Sequence, residues 1–384
     1  MERSVSKLLG CYREQCSHAS KQPCWLRNGP SLARGVNLHG FLRSETGLGE
    51  SARLLYEALA SQNIGVAACN RDLDVRDNSS ELSDVIADDA CYNASINVDG
   101  LLGFKGLRHL ICSSKTNIAY PFWELDVISP KFVGYLKRFD DVWAPSSFIF
   151  DVLQSNGIDN ASLIKQPIYL PEAPRTGFGS GSTLSILFHF DFDSFPARKN
   201  PEAAVHAFKL AFGASKDVSL TIKARGSRDV GRRSWLAQAV QGDDRIQVID
   251  RLLTRKEVST LVDTHDVFIS MHRSEGFGLG CAEALAAGKA VVATDFGGST
   301  DFITDETGFP VQWTRIDVGP DEYPMADGAT WAEPSIEHAA EQLRFIFDNP
   351  QLVQNRTQLG WDLLVREHST ANVGQKMRRA LRNL

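Results

Sequence analysis

The stretch Ser270–Phe302, SMHRSEGFGLGCAEALAAGKAVVATDFGGSTDF, leaves the chain few folds to choose from. The apolar run from Asp266 to Ser270 has the length of a short buried strand. A Gly-studded turn from Ser274 to Gly280 leads into a small-residue helix over Cys281–Ala287, closed by Gly288. A second strand, Lys289–Thr294, ends at Gly297 and Gly298. Strand, Gly loop, helix, strand, Gly loop is an order that presents backbone N–H groups and a helix N-terminus to an anion.

Two acids sit in this stretch. Glu275, between Ser274 and Gly276, has no evident packing role and is expected at a strand C-terminal edge, where open α/β sheets bind ligands. Glu283 lies in a run of Ala, Leu and Gly, where a carboxylate is costly unless partnered, and a ribose diol would supply two O–H donors. The plainer reading is a solvated helix Glu and a loop Glu that caps the helix.

The rest of the chain repeats the pattern. Residues 1–33 read as a polar extension, helical at 2–14. Strands are expected at Gly35–Phe41, 64–69, 95–98, 108–113, from Asn117, at Asp141–Ala144 and at Ala161–Lys165, with helices at Ser51–Ala60, Phe132–Phe139 and Ser147–Asn156. Pro171–Ser182, rich in Pro, Gly and Ser, reads as the linker. Strands at Leu184–Phe190, Val218–Lys223 and Ile246–Ile249 follow, with helices at Asn200–Phe212, Arg232–Val240, Arg255–Asp263, 335–348, 350–366 and 370–380. This predicts two α/β domains with mostly parallel sheets, 34–172 and 183–366, a helix at 367–384 returning to the first, and a ligand in the cleft between them. A net charge of −6 argues against nucleic-acid binding. Seven cysteines without a CxxC read as reduced cytosolic thiols. No run approaches a membrane span.

Phosphate chemistry needs cations. Arg198 and Lys199 precede a helix, and Lys223 and Arg225 end the next strand, so the four stand at adjacent strand edges and could meet a pyrophosphate. Gly47, Gly49 and Ala52 fit the dinucleotide fingerprint, which alone is equally a tight strand-to-helix turn. Asp191–Asp193 and Asp72–Asp74 read as turn-forming acids, not as a metal-binding DxD. His39 and His272 each end a strand and read first as core or capping residues.

Glu275-Gly-Phe-Gly-Leu-Gly-Cys-Ala-Glu283 resembles the E-x7-E motif of retaining glycosyltransferases of family 4. Arg198-Lys-Asn-Pro201 resembles that family's phosphate loop. Pro121–Leu125, Val142–Ser146 and Trp331–Pro334 resemble segments of members that build bacterial surface polysaccharides. The resemblance, over about residues 34–348, implies a GT-B fold: two Rossmann-like domains facing a cleft. It implies transfer of a hexose from a UDP- or GDP-sugar, with retention and without a metal or other cofactor, to a saccharide or lipid-linked saccharide. It also implies a cytoplasmic enzyme, with peripheral contact at the inner face of the membrane an allied expectation. By it, Glu275 and Lys199 carry catalysis. Glu283, Arg198, Lys223, Gly276, Phe277, Gly278, Leu279, Gly47, Gly49, Arg251 and Leu252 bind the donor, and His39, Trp123 and Glu124 contact acceptor or sugar. One departure is Asp193, where the family carries an Arg about six residues before the Lys. Rival readings are a sugar-nucleotide epimerase, a dinucleotide oxidoreductase and a non-catalytic binding module.

Overall fold

The computed structural model describes residues 32–72, 86–87, 92–107, 111, 116–174, 183–192, 194–225, 230–251 and 253–383. The expected helix at 2–14, Cys11, Cys16, Cys24, Cys91, Cys112, Asp74, Asp193, Leu252 and nearly all of the expected strand at 108–113 lie outside the described residues. The chain divides into two compact units, Met1–Ile168 with Glu367–Leu384, and Tyr169–Arg366.

The first unit runs β1 (Leu32–Gly40), α1 (Gly47–Ala60), β2 (Gly65–Asn70), β3 (Tyr92–Gly100), α2 (Phe104–Leu107), β4 (Thr116–Phe122), α3 (Pro130–Leu136), β5 (Asp141–Ala144), α4 (Ser147–Ser155) and β6 (Ala161–Leu163). Its six strands are ordered β2-β1-β3-β4-β5-β6, and every pairing is parallel. The order reverses between β1 and β3, so the chain leaves β1 there and enters α1. Thr46 caps that helix by accepting from the Gly49 N–H at 3.2 Å. The glycine pattern has a packing cause. A side chain on Gly49 would strike the carbonyls of Ser44 and Phe41, and one on Gly40 would lie 2.7 Å from the Ala52 methyl. Small residues at 40, 49 and 52 therefore let α1 lie close on β1. Leu55, Ala58 and Leu59 are wholly buried against it, and each such leucine contributes about 1.5–3 kcal/mol of burial.

The second unit runs β7 (Leu184–Asp191), α5 (Pro196–Lys199), α6 (Pro201–Phe212), β8 (Val218–Arg225), α7 (Val230–Val240), β9 (Ile246–Ile249), α8 (Arg255–Asp263), β10 (Val267–Ser270), α9 (Leu279–Ala286), β11 (Ala290–Thr294), β12 (Phe309–Val311), β13 (Trp313–Asp317), β14 (Thr330–Pro334), α10 (Ile336–Asp348) and α11 (Pro350–His368). The sheet order is β12-β11-β10-β7-β8-β9, again all parallel, and β13 and β14 form a separate antiparallel hairpin that sequence reading did not anticipate. Phe188, Phe190, Phe192, Phe208 and Phe309 build its core.

The last helix, α12 (Thr370–Asn383), packs on α1 in the first unit. Val373 and Met377 are wholly buried there, and Gly374 meets the Ala58 carbonyl so closely that any side chain would overlap it. Among the described residues no helix is long and apolar enough to cross a membrane.

Candidate functional site

In the second unit the strand order reverses between β7 and β10, and a ligand site is expected beyond the carboxyl ends of such a pair. The chain leaving β7 carries Arg198 and Lys199, and the chain leaving β10 carries Glu275. The two segments meet. Arg198 NH1 donates to Glu275 Oε2 at 2.8 Å and to the Ser274 carbonyl at 2.9 Å, and Lys199 Nζ donates to Glu275 Oε1. Arg198 is buried, whereas the Lys199 side chain keeps 22% exposure and that of Glu275 12%. Burial opposes ionisation of Glu275, but Arg198 and Lys199, with a smaller share from His272, outweigh it and hold the carboxyl well below the usual range.

Glu275 is not the loop acid without a packing role that its neighbours Ser274 and Gly276 suggest: it is the acceptor that ties two segments together. Arg198 and Lys199 do not merely precede a helix. They lie in α5, a single turn flanked by Phe195 at φ 54° and Asn200 at φ 48°, both left-handed. A left-handed Phe is uncommon, and a tilted contact of the Phe195 ring with Tyr323, centroids 4.7 Å apart, accompanies it here.

The hairpin β13–β14 braces the same turn. Glu333 on β14 accepts from Arg273 Nε at 2.6 Å and from Asn200 Nδ2 at 3.4 Å. Arg273 donates through NH1 to the Ala197 carbonyl at 2.8 Å and through its backbone N–H to the Arg198 carbonyl at 2.7 Å. Sequence reading missed Arg273 and Glu333. The only signal for Glu333 is its place in the recurrent segment Trp331–Pro334.

The glycine loops interlock. The Gly298 N–H donates to the Glu275 carbonyl at 2.7 Å. Gly297 sits at φ 87°, where a side chain would lie 2.6 Å from that same carbonyl. Gly278, also at φ 87°, begins α9 without a side-chain cap. His272 is wholly buried beneath them. Its Nε2 donates to the Phe296 carbonyl at 3.0 Å, which leaves Nδ1 to accept from the Ser270 hydroxyl at 2.9 Å. Burial lowers its pKa to about 4, against the opposing pull of Glu275. His272 is therefore a core residue with both ring nitrogens partnered.

Lys223 on β8 is paired in register with His189 on β7. Burial, then Lys223 and Lys199, push the His189 imidazole down to about 3. Glu283, on α9, accepts from Arg255 NH1 at 2.6 Å. Its partner is thus a protein cation from the start of α8, a residue that sequence reading gave no role. Gly276 and Phe277 are buried and Leu279 is half-buried. Arg251 is 62% exposed and pairs with Glu257 at 2.8 Å, beside the box in which Thr254 caps α8. Buried Cys281 has its thiol pushed up to about 12 by burial and by Glu275, so it stays protonated.

The first unit holds the remaining candidates. Gly47 opens α1 with open space where a side chain would stand. His39 is buried near the end of β1. Trp123 is buried too, donating through Nε1 to the Val127 carbonyl at 2.9 Å, and Glu124 beside it is half-buried. An unanticipated pair lies at this strand edge. Arg71 NH1 donates to wholly buried Asp99 at 2.7 Å and stacks on Phe41 at 4.6 Å. Burial raises the Asp99 pKa, against Arg71. Among the described residues no group of three or more His, Cys, Asp or Glu is arranged to hold a metal ion.

Residues 186–317, about a third of the chain, match the family model described as Glycosyl transferases group 1. No curated protein matches the chain in sequence. Among solved structures, Anabaena HepE in complex with UDP-glucose is similar at 12% identity and a TM-score of 0.66, over 91% of this chain and 100% of that one. A sucrose-phosphate synthase from Thermosynechococcus elongatus is similar at 16% identity and a TM-score of 0.66, over 91% and 98%. S. aureus TarM is similar at 14% identity and a TM-score of 0.57 over 74% of this chain, which spans only about half of TarM, 54%. The fold is GT-B, and its second unit carries a segment similar to group 1 glycosyl transferases.

Proposed function

We propose that the protein is a glycosyltransferase that moves a hexose from a nucleotide-diphosphate sugar to a saccharide or lipid-linked saccharide, with retention at the anomeric carbon and without a metal. A cytoplasmic role in cell-surface polysaccharide synthesis goes with this reading. One observation carries it: Lys199, Arg198 and Glu275 converge at the switch point of the sheet, inside the segment that matches group 1 glycosyl transferases. HepE and TarM have been crystallised with UDP-glucose and UDP, which makes UDP-sugars the first donors to test.

The chemistry follows from charge. As the bond from the anomeric carbon to the diphosphate oxygen breaks, negative charge grows on the diphosphate and positive charge on the sugar. Lys199 has the exposure to turn from Glu275 to the diphosphate, while buried Arg198 keeps Glu275 in place. Lys223 and the uncapped first turn of α9 add to the cationic side. Glu275 stays ionised and stabilises the sugar cation. The acceptor hydroxyl attacks the face that the diphosphate leaves, and its proton passes to the departing diphosphate oxygen. Glu283 takes the ribose hydroxyls in place of Arg255.

A thermal-shift panel of UDP-, GDP-, ADP- and TDP-sugars, followed by product analysis with and without a saccharide acceptor, tests this reading. A donor that binds the folded chain raises its melting temperature, and product requires acceptor. Conversion of donor without acceptor would mark an epimerase; binding with neither hydrolysis nor transfer would mark a binding module.

A further inference from the structure

The turn α5 does not hold itself in place. Within it the Arg198 N–H donates to the Phe195 carbonyl at 3.0 Å and the Asn200 N–H to the Pro196 carbonyl at 2.9 Å. The next two carbonyls, of Ala197 and Arg198, are both taken from outside by Arg273, through its guanidinium and its backbone N–H. Left-handed backbone at Phe195 and Asn200 persists only where its surroundings over-determine it, and the hairpin β13–β14 supplies such surroundings at both ends. Tyr323, from the loop joining the two strands, lies against Phe195, and Glu333 on β14 accepts from both Asn200 and Arg273. The Ala332 N–H, next to Glu333, donates to the Arg273 carbonyl at 2.9 Å, so β14 also fixes the backbone from which that guanidinium reaches.

The pair is a poor source of stability. The side chains of Arg273 and Glu333 are 20% and 34% exposed, and an ion pair so open to water adds little to folding. Its effect is on placement. It holds the Arg198 carbonyl on one side of Lys199 and the Asn200 side chain on the other, and it leaves the Lys199 side chain partly exposed between them. A cation that meets charge as it develops needs a fixed base, because a misplacement of about 1 Å can cost on the order of 10²-fold in rate. Resting on the transferase reading above, we propose that Arg273 and Glu333 are positioning residues: acting through Lys199, they set the backbone on both sides of it so that its ammonium meets the donor diphosphate as the bond to the sugar breaks.

Glu333→Ala and Arg273→Gln are each made alone and together with Lys199→Ala. Turnover is read as nucleoside diphosphate released from UDP-, GDP-, ADP- or TDP-glucose, counting transfer to water and to added glucose, cellobiose and maltotriose alike. Affinity for the free nucleoside diphosphate is measured by calorimetry, and hydrogen exchange of the segment 195–200 is followed without ligand. Each substitution alone is expected to lower turnover on the order of 10²-fold, to weaken the nucleotide far less, and to speed exchange at 195–200 with circular dichroism unchanged. With Lys199 already replaced, neither is expected to lower turnover much further, whereas a merely structural role would lower it equally in both backgrounds. Equal losses in the two backgrounds, near-wild-type turnover of both single variants, or unchanged exchange at 195–200 overturns the positioning role and leaves the transferase reading standing. A wild type that releases nucleoside diphosphate from none of the four donors removes the transferase reading, and this role with it.

Discussion

Arg198 and Glu275 hold each other across the switch point of the second sheet, NH1 to Oε2 at 2.8 Å, with the Arg only 3% exposed. Lys199, next in sequence, touches the same carboxylate but faces partly outward. The two cations therefore separate by role. Arg198→Ala leaves a largely buried carboxylate without its anchor and is expected to cost about 3–5 kcal/mol of stability. Lys199→Ala is expected to cost much less stability but to lower turnover on the order of 10²–10³-fold, as does Glu275→Ala. Urea unfolding and turnover measured on all three variants separate these effects. Near-wild-type turnover of both Lys199→Ala and Glu275→Ala would remove the site assignment.

Acid is expected to unfold the second unit from its switch point outward. His272 and His189 have folded pKa values of about 4 and about 3, below the roughly 6.5 of an unfolded His. The unfolded chain then binds more protons, so stability falls as pH drops below about 6.5, by up to about 1.4 kcal/mol per pH unit for each His. Glu275, depressed by its cations, adds stability that is present above its unfolded pKa and lost only at still lower pH. His272→Gln, which keeps a donor for the Phe296 carbonyl, is expected to remove about one proton from the slope of unfolding free energy against pH between 6 and 5. An unchanged slope would show that His272 is charged in the folded protein.

Gly297→Ala tests the interlocked loops. Its φ of 87° and the 2.6 Å approach of a side chain to the Glu275 carbonyl allow no accommodation without moving that residue. A cost of about 1–3 kcal/mol is expected from the backbone alone, with turnover falling further as Glu275 shifts. Gly134→Ala, where α3 leaves open space, is the matched control and is expected to change stability little. Equal melting temperatures for the two variants would contradict the geometry.

What was legible in the sequence was local. Strands and helices follow from the hydrophobic period and from glycine punctuation, and the helix expected at Cys281–Ala287 forms at Leu279–Ala286. Convergence of Lys199 with Glu275 required knowing that β7 and β10 are neighbours, which sheet order decides and no short-range pattern states. The turn α5 was hidden because an aromatic residue gives no hint of a left-handed backbone at Phe195. The hairpin β13–β14 was hidden because a Gly-, Pro- and Asp-rich loop separates its strands. Arg71 and Asp99 lie 28 residues apart with no local pattern linking them, and they meet only because β2 and β3 flank β1.

Glu283 and Arg255 form the remaining test, because the donor reading requires their pair to open. Their side chains are 15% and 36% exposed, so the pair contributes only about 0–1 kcal/mol to folding. A charged acceptor lost from a ribose diol costs about 1.5–3 kcal/mol, which is roughly 10–100-fold in affinity. Glu283→Ala is therefore expected to melt within a few degrees of wild type while weakening the nucleotide diphosphate of the donor by that factor in titration calorimetry. Arg255→Ala frees the carboxylate in advance, and the nucleotide no longer has to displace a cation. Its affinity for the ribose-bearing nucleotide is expected to hold or rise, whereas a 2′,3′-dideoxy analogue gains nothing. Unchanged affinity in Glu283→Ala, or equal discrimination against the dideoxy analogue in Glu283→Ala and wild type, would assign Glu283 to the ion pair with Arg255 alone.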